Sequence, residues 1–296
     1  MTKPRLPALP LLAALVTVAL WASAFVGIRA AGRDIGPGAL TLARLLVGAV
    51  ALGVVVAVRR EQLPPRADAA RLIACGVLWF GVYNVALNAA ERRVDAGTAA
   101  MLVNVGPVLI ALLAGALLGE GFPRTLLAGC AIAFGGAVLI GWATSDRGVA
   151  ASWGAVLCLV AAATYAVAVV AQKPLLERSS ALAVTWLACC IGAAVCLPFA
   201  PSLVRDVGSA GTGALTWTLY LGLFPTAVAF TTWAYALSST SAGRMGATTY
   251  LVPPLAILLG WMWFGESPPA LAFAGGALCI AGAVLARRPA RVRAAA

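Results

Sequence analysis

Few residues in this 296-residue chain could do chemistry, and most of those lie inside long apolar stretches. Arg44 sits about six residues into one stretch. A guanidinium there either snorkels back to the membrane surface along its alkyl stem or stands in a cavity and holds an anion. Asn84 and Asn88 follow Phe80 at spacings of four, which puts the three on one helical face, and Asn104 lies in the next stretch. An amide turned to lipid would forfeit its hydrogen bonds, so all three should face protein or water. Glu120 and Glu266 each close a Gly-Glu pair between two stretches, three residues before a proline. A carboxylate there suits the N-terminus of the next helix by ~0.3–1 kcal/mol, with proton coupling as the alternative. No acid lies near the middle of a stretch, the usual place for a proton relay. That leaves Glu91 and Asp95, in the gap after the third stretch, as coupling candidates, or uniport without any.

Much chemistry is excluded. Histidine is absent, which removes His-centred triads, His metal sites and His proton relays. The seven cysteines all fall in apolar stretches without CxxC spacing and read as small packing residues. No phosphate-binding GxxxxGK[ST] loop occurs. No cofactor or metal is therefore expected. An enzyme embedded in the membrane is the weaker reading beside a carrier, as is a non-transporting channel or scaffold.

The elements that must position these residues follow from composition. The chain is 62% hydrophobic and 10% charged, where soluble domains carry about 25% charged residues. Its +11 charge is spread through short gaps rather than one soluble face, which points to topology and a lipid partner and away from nucleic acid. Ten stretches are long enough to cross ~30 Å of hydrocarbon, near 9–29, 38–58, 71–90, 96–118, 124–143, 152–171, 181–200, 214–237, 243–264 and 269–286. The first could instead be a signal peptide cut after Ala22-Ser23-Ala24, but cleavage would leave nine spans. With the N-terminus inside, 14 basic residues face the cytoplasm and six face out, so both termini are expected in the cytoplasm.

The chain also repeats. A shift of 146 superimposes 96–139 on 242–285 with 16 identities in 44 positions, among them Pro107 with Pro253 and Gly119-Glu120 with Gly265-Glu266. Two units result, 1–148 and 149–296. Each holds five spans, an odd number, so the second must enter the membrane from the opposite side. An all-α membrane protein of ten transmembrane helices in two inverted five-helix repeats is expected, with a substrate site between the halves.

The same shift carries Asn84 to Phe230 and Asn104 to Tyr250. One half offers amides where the other offers aromatic surface. The pattern predicts an amphipathic small-molecule substrate, its polar end on Asn84, Asn88 and Asn104 and its apolar part against Phe230, Trp233 and Tyr250. The plainer alternative is interhelical hydrogen bonds worth ~0.6 kcal/mol each and aromatic packing. In spans 5 and 10 a small residue recurs at every fourth position (Gly129, Ala133, Ala137, Gly141; Gly275, Cys279, Ala283), a pattern for a scaffold or a homodimer contact.

Ten spans in two halves, Trp21 in the first, Arg44 early in the second and the paired Gly-Glu junctions resemble the EamA-type members of the drug/metabolite transporter superfamily. The resemblance covers essentially the whole chain and implies a carrier of the bacterial inner membrane, often an exporter of amino acids or other small metabolites. It also implies that helices 3, 4, 8 and 9 line the cavity, with helices 5 and 10 peripheral. Leu45 stands where the family usually has phenylalanine.

Overall fold

The computed structural model describes residues 8–93, 99, 102–144, 153–265 and 269–287, and among these every regular element is helical. In chain order they are α1 (Ala8–Ala31), α2 (Pro37–Arg59), α3 (Arg66–Ala90), α4 (Gly106–Leu117), α5 (Arg124–Thr144), α6 (Trp153–Leu175), α7 (Ala181–Val195), α8 (Ala200–Ser209), α9 (Thr212–Ser238), α10 (Ala242–Thr248), α11 (Val252–Phe264) and α12 (Ala270–Ala286). α1, α2, α3, α6, α9 and the α10–α11 pair are long and apolar enough to cross a membrane. α7 joins α8 through a 52° bend, and α4, α5 and α12 are shorter apolar helices. The bend falls at Leu197-Pro198-Phe199, where proline cannot continue the helical hydrogen-bond ladder.

α8 is a correction to the sequence reading, which left its residues as a loop. It is a surface helix with no buried residue. Asp206 on it accepts the Gly36 amide at 2.9 Å, while Asp34 accepts the Gly211 amide at 3.1 Å. Asp206 thus ties α8 to the α1–α2 turn, and Asp34 ties that turn to the residue that opens α9.

The deepest departure from regular helix comes in α3 and α9. Gly76–Tyr83 in α3 and Gly222–Val228 in α9 are π-helical, and the first residues of the two segments are 146 apart. A π turn widens the spiral and leaves carbonyls to be satisfied by side chains. In α3, Asn84 does this by donating to the carbonyls of Trp79 (2.9 Å) and Phe80 (3.1 Å). In α9, Pro225 has no N–H to give the Leu221 carbonyl four residues back, and the Thr226 hydroxyl donates to it instead at 2.8 Å. The helix is regular again from Asn84 to Ala90, so Asn88 follows Asn84 by one turn.

α5 and α12 pack antiparallel at backbone contact. A Cβ on Gly129 would lie 2.4 Å from the Ala286 nitrogen, and one on Gly282 would lie 2.4 Å from the Ala133 nitrogen. The small residues of the two stripes are thus spent on each other within the chain. The rest of the core is a bundle around α1, whose Thr17 hydroxyl meets that of Thr232 in α9 at 2.8 Å.

Glu120 acts differently from expectation. It stands between Gly119 and Gly121, both at positive φ (67° and 68°), a conformation glycine adopts without strain. That turn carries its carboxylate across to the other half of the chain, where it accepts the amides of Ala242 (2.6 Å) and Gly243 (3.1 Å) at the start of α10. The helix it caps is α10 rather than the α5 that follows it. Glu266, like Asp95, lies outside the described residues.

Candidate functional site

A cavity of about 70 Å³ opens among α1, α2, α3, the segment entering α4, α6, α9 and the α10–α11 junction. Its polar wall holds Arg44, Tyr83, Asn84 and Asn104, and its apolar wall holds Trp21, Phe25, Trp79, Tyr165 and Phe230. Below them the rings form one cluster. Trp21 meets Trp233 at 5.1 Å between centroids, Trp79 meets Phe230 at 4.9 Å and Tyr165 at 5.2 Å, and Phe80 meets Phe230 at 4.4 Å. Such contacts exclude water and give the floor a fixed shape. The volume is well below the ~300–1,000 Å³ of most ligand pockets, so the cavity must widen to take a solute.

Arg44 is the one charged residue among the lining side chains. It is 3% exposed, which rules out snorkelling to the surface. Its Nε donates to Thr226 Oγ1 at 2.9 Å, the same hydroxyl that donates to the Leu221 carbonyl. Pro225 therefore fixes Thr226, and Thr226 orients the guanidinium. The approach of α2 to α9 depends on Gly222, where a Cβ would lie 2.5 Å from that of Val47. No acid makes a hydrogen bond or ion pair with the guanidinium among the described residues; Glu91, past the end of α3, acts on it only through its field. Burial of that kind is costly unless an anion compensates it.

Asn84 uses both amide hydrogens on its own helix, so its Oδ1 is the atom left for other partners. The Tyr165 hydroxyl is buried and finds no partner at hydrogen-bond distance.

Of the residues singled out from sequence, the fold brings Trp21, Arg44, Asn84, Asn104 and Phe230 together around the cavity. Phe80 and Trp233 lie behind the wall, in the aromatic floor, and Trp233 Nε1 donates to Gln172 Oε1 at 3.2 Å. Asn88 is turned away to α2, where it donates to Thr41 Oγ1 at 2.9 Å. Tyr250 packs into a separate core against α5 and α12. Trp79, Tyr83, Tyr165 and Thr249 line the cavity but were not picked out by spacing, because no polar or charged pattern marks them.

Glu91 lies just past the end of α3. Part of the residue is exposed, yet its Oε1 is enclosed without a hydrogen-bond partner. Burial pushes its carboxyl up to about 8, against the opposing pull of Arg44 and Arg29.

A bundle of apolar helices closed around a small cavity that is mostly aromatic and has one buried cation is the build of a multi-pass membrane transporter. The chain belongs to the EamA-like transporter family, whose model matches it at residues 8–142 and again at 152–288. It is 39% identical over 277 residues to a protein of Streptantibioticus cattleyicolor named "Probable terminal-alkyne amino-acid exporter", covering 93% of this chain and 92% of that one. It is 32% identical to the uncharacterized transporter YdfC of Bacillus subtilis, over 90% of this chain and 86% of the relative. A solved structure described only as "Crystal structure of protein" shares the fold with a TM-score of 0.75 at 20% identity, over 95% of this chain and 96% of the other.

Proposed function

We propose that this protein carries a small amphipathic carboxylate, of the amino-acid class, across the bacterial inner membrane by alternating access, in the export direction and without chemical change to the cargo. The single observation behind this reading is Arg44, a buried guanidinium in the cavity wall with no acid among the lining residues. A substrate carboxylate supplies the missing charge through a fork geometry that matches it. Asn84 Oδ1 and the Tyr165 hydroxyl are the groups left for an amino end, and Trp21, Trp79 and Phe230 receive the apolar side chain. The name of the 39% identical relative is consistent with this class of cargo.

In this reading the ten sequence spans form two inverted halves, 1–148 and 149–296. The π segments whose starts lie 146 residues apart support it, as do the paired matches to the family model. Both termini face the cytoplasm, on the 14 to six count of basic residues. α5 and α12 serve as scaffold in preference to a homodimer contact, because their small residues already meet each other.

Counterflow in reconstituted vesicles tests the function. Vesicles loaded with an unlabelled amino acid carrying an apolar side chain should transiently accumulate the labelled form, and the matching amine without a carboxylate should not compete. Equal competition by acid and amine would overturn the carboxylate reading. Absence of counterflow with every amino acid tried would overturn the substrate class.

A further inference from the structure

A second cleft, of about 620 Å³, lies where α2 ends and the α6–α7 turn passes it. Arg59, Arg60, Glu61, Arg178, Ser179 and Ser180 are among its walls. Three guanidiniums there face one carboxylate. Among the described residues none of the three arginine side chains is held by a hydrogen bond or an ion pair. Ser180 caps α7 by accepting the Ala183 amide at 3.1 Å, which leaves its hydroxyl hydrogen to give, and the positive end of the α7 dipole adds to the field. The cleft is a preformed anion site that the transport cavity does not use.

Arg60 carries a second signal. Its backbone lies at φ 51°, ψ 44°, and it is the one non-glycine residue at positive φ among the described residues. It closes α2 by donating its amide to the carbonyls of Ala57 and Val56, a position that glycine fills without strain. An arginine in that place keeps its guanidinium on the cleft at the expense of backbone comfort, and strain of this kind collects at binding sites.

The location identifies the anion. Arg59 is the last residue of the apolar span Pro37–Arg59, and the facing turn follows the end of Trp153–Leu175, so the cleft sits at headgroup level. We propose that the cleft is a binding site for the phosphate of an anionic phospholipid, held by Arg59, Arg60 and Arg178. A phosphate ion in solution shares the headgroup chemistry but is not anchored at the level where these spans end.

Lipid binding by the full-length protein in detergent, measured by native mass spectrometry with phosphatidylglycerol and with phosphatidylcholine, tests this. Phosphatidylglycerol is expected to bind at least tenfold more tightly. Arg59→Gln with Arg178→Gln should erase that preference, whereas Arg66→Gln with Arg124→Gln, the same charge removed outside the cleft, should keep it. Equal binding of the two lipids, or equal loss in both double variants, overturns the site. Displacement of phosphatidylglycerol by inorganic phosphate at comparable concentration would assign the cleft to the free ion and overturn the lipid proposal. Arg60→Gly guards against loss of fold, because it relieves the backbone. It should raise the melting temperature of the lipid-free protein while weakening phosphatidylglycerol binding at least threefold, and unchanged binding would remove Arg60 from the site.

Discussion

Replacing Arg44 by methionine should move binding and stability in opposite directions. The guanidinium is 3% exposed and its described hydrogen bond is to the neutral Thr226 hydroxyl, so in the empty protein its charge is buried with no acid in direct contact, Glu91 acting only through its field. Methionine of similar length removes that desolvation burden and loses about one hydrogen bond, worth ~1–1.5 kcal/mol, so the empty variant should melt no lower than the parent. With substrate bound, the arginine supplies a charge-assisted fork, and truncating one partner of such a buried pair costs ~2–5 kcal/mol. At ~1.4 kcal/mol per tenfold, affinity for an apolar amino acid should fall by roughly 30-fold to a few thousandfold. Arg44→Lys keeps the charge but loses the fork and should fall between the two. Isothermal titration on purified protein gives the affinities and thermal unfolding in the same detergent gives the stabilities. An Arg44→Met variant that melts well below the parent yet binds the amino acid equally well would show the guanidinium to be a structural strut, and would refute the reasoning.

Glu120→Gln leaves one acceptor oxygen for two amides and removes the charge from the start of α10; it should destabilise the protein by ~1–3 kcal/mol, read as a lower melting temperature. Gly222→Ala drives a Cβ to 2.5 Å from that of Val47 and should weaken substrate binding by separating Thr226 from Arg44, whereas Gly213→Ala, with nothing within 4 Å, should leave binding unchanged. Glu91 titrates above its ordinary range, so between ~4.3 and about 8 the native protein holds a proton that the unfolded chain releases, and stability falls as pH rises through that window. Glu91→Gln should flatten that fall in pH-dependent melting curves. If transport is proton-linked through this residue, the variant should also lose the change in rate between about pH 7 and pH 9.

The apolar stretches and the 146-residue repeat were legible because bilayer thickness and proline and glycine placement leave strong marks on sequence. Arg44 was legible as a charge with no place in lipid, although only burial decides between an anchor and a cavity group. The aromatic wall was not legible, since Trp79 and Tyr165 look like any other packing residues until the chain folds around them. Asn88 follows Asn84 by one regular turn, and no sequence pattern tells that Thr41 of α2 takes up its amide. The reach of Glu120 to α10 depends on two left-handed glycines, and no local pattern tells which helix such a turn will face.

The contact between α5 and α12 also sets a timetable for synthesis. Gly129 and Gly282 meet partners on the opposite helix within 3 Å of where a Cβ would be, yet about 150 residues separate the two in the chain. At ~5–20 residues per second the ribosome needs roughly 8–30 s to make the second after the first. For that interval the glycine furrow of α5 lacks its partner helix, and α12 must fill it when it arrives as the last described helix. Closing this furrow is therefore a late step of assembly, and a chain stopped before α12 would hold every residue of the cavity wall while lacking the clamp that joins its two ends.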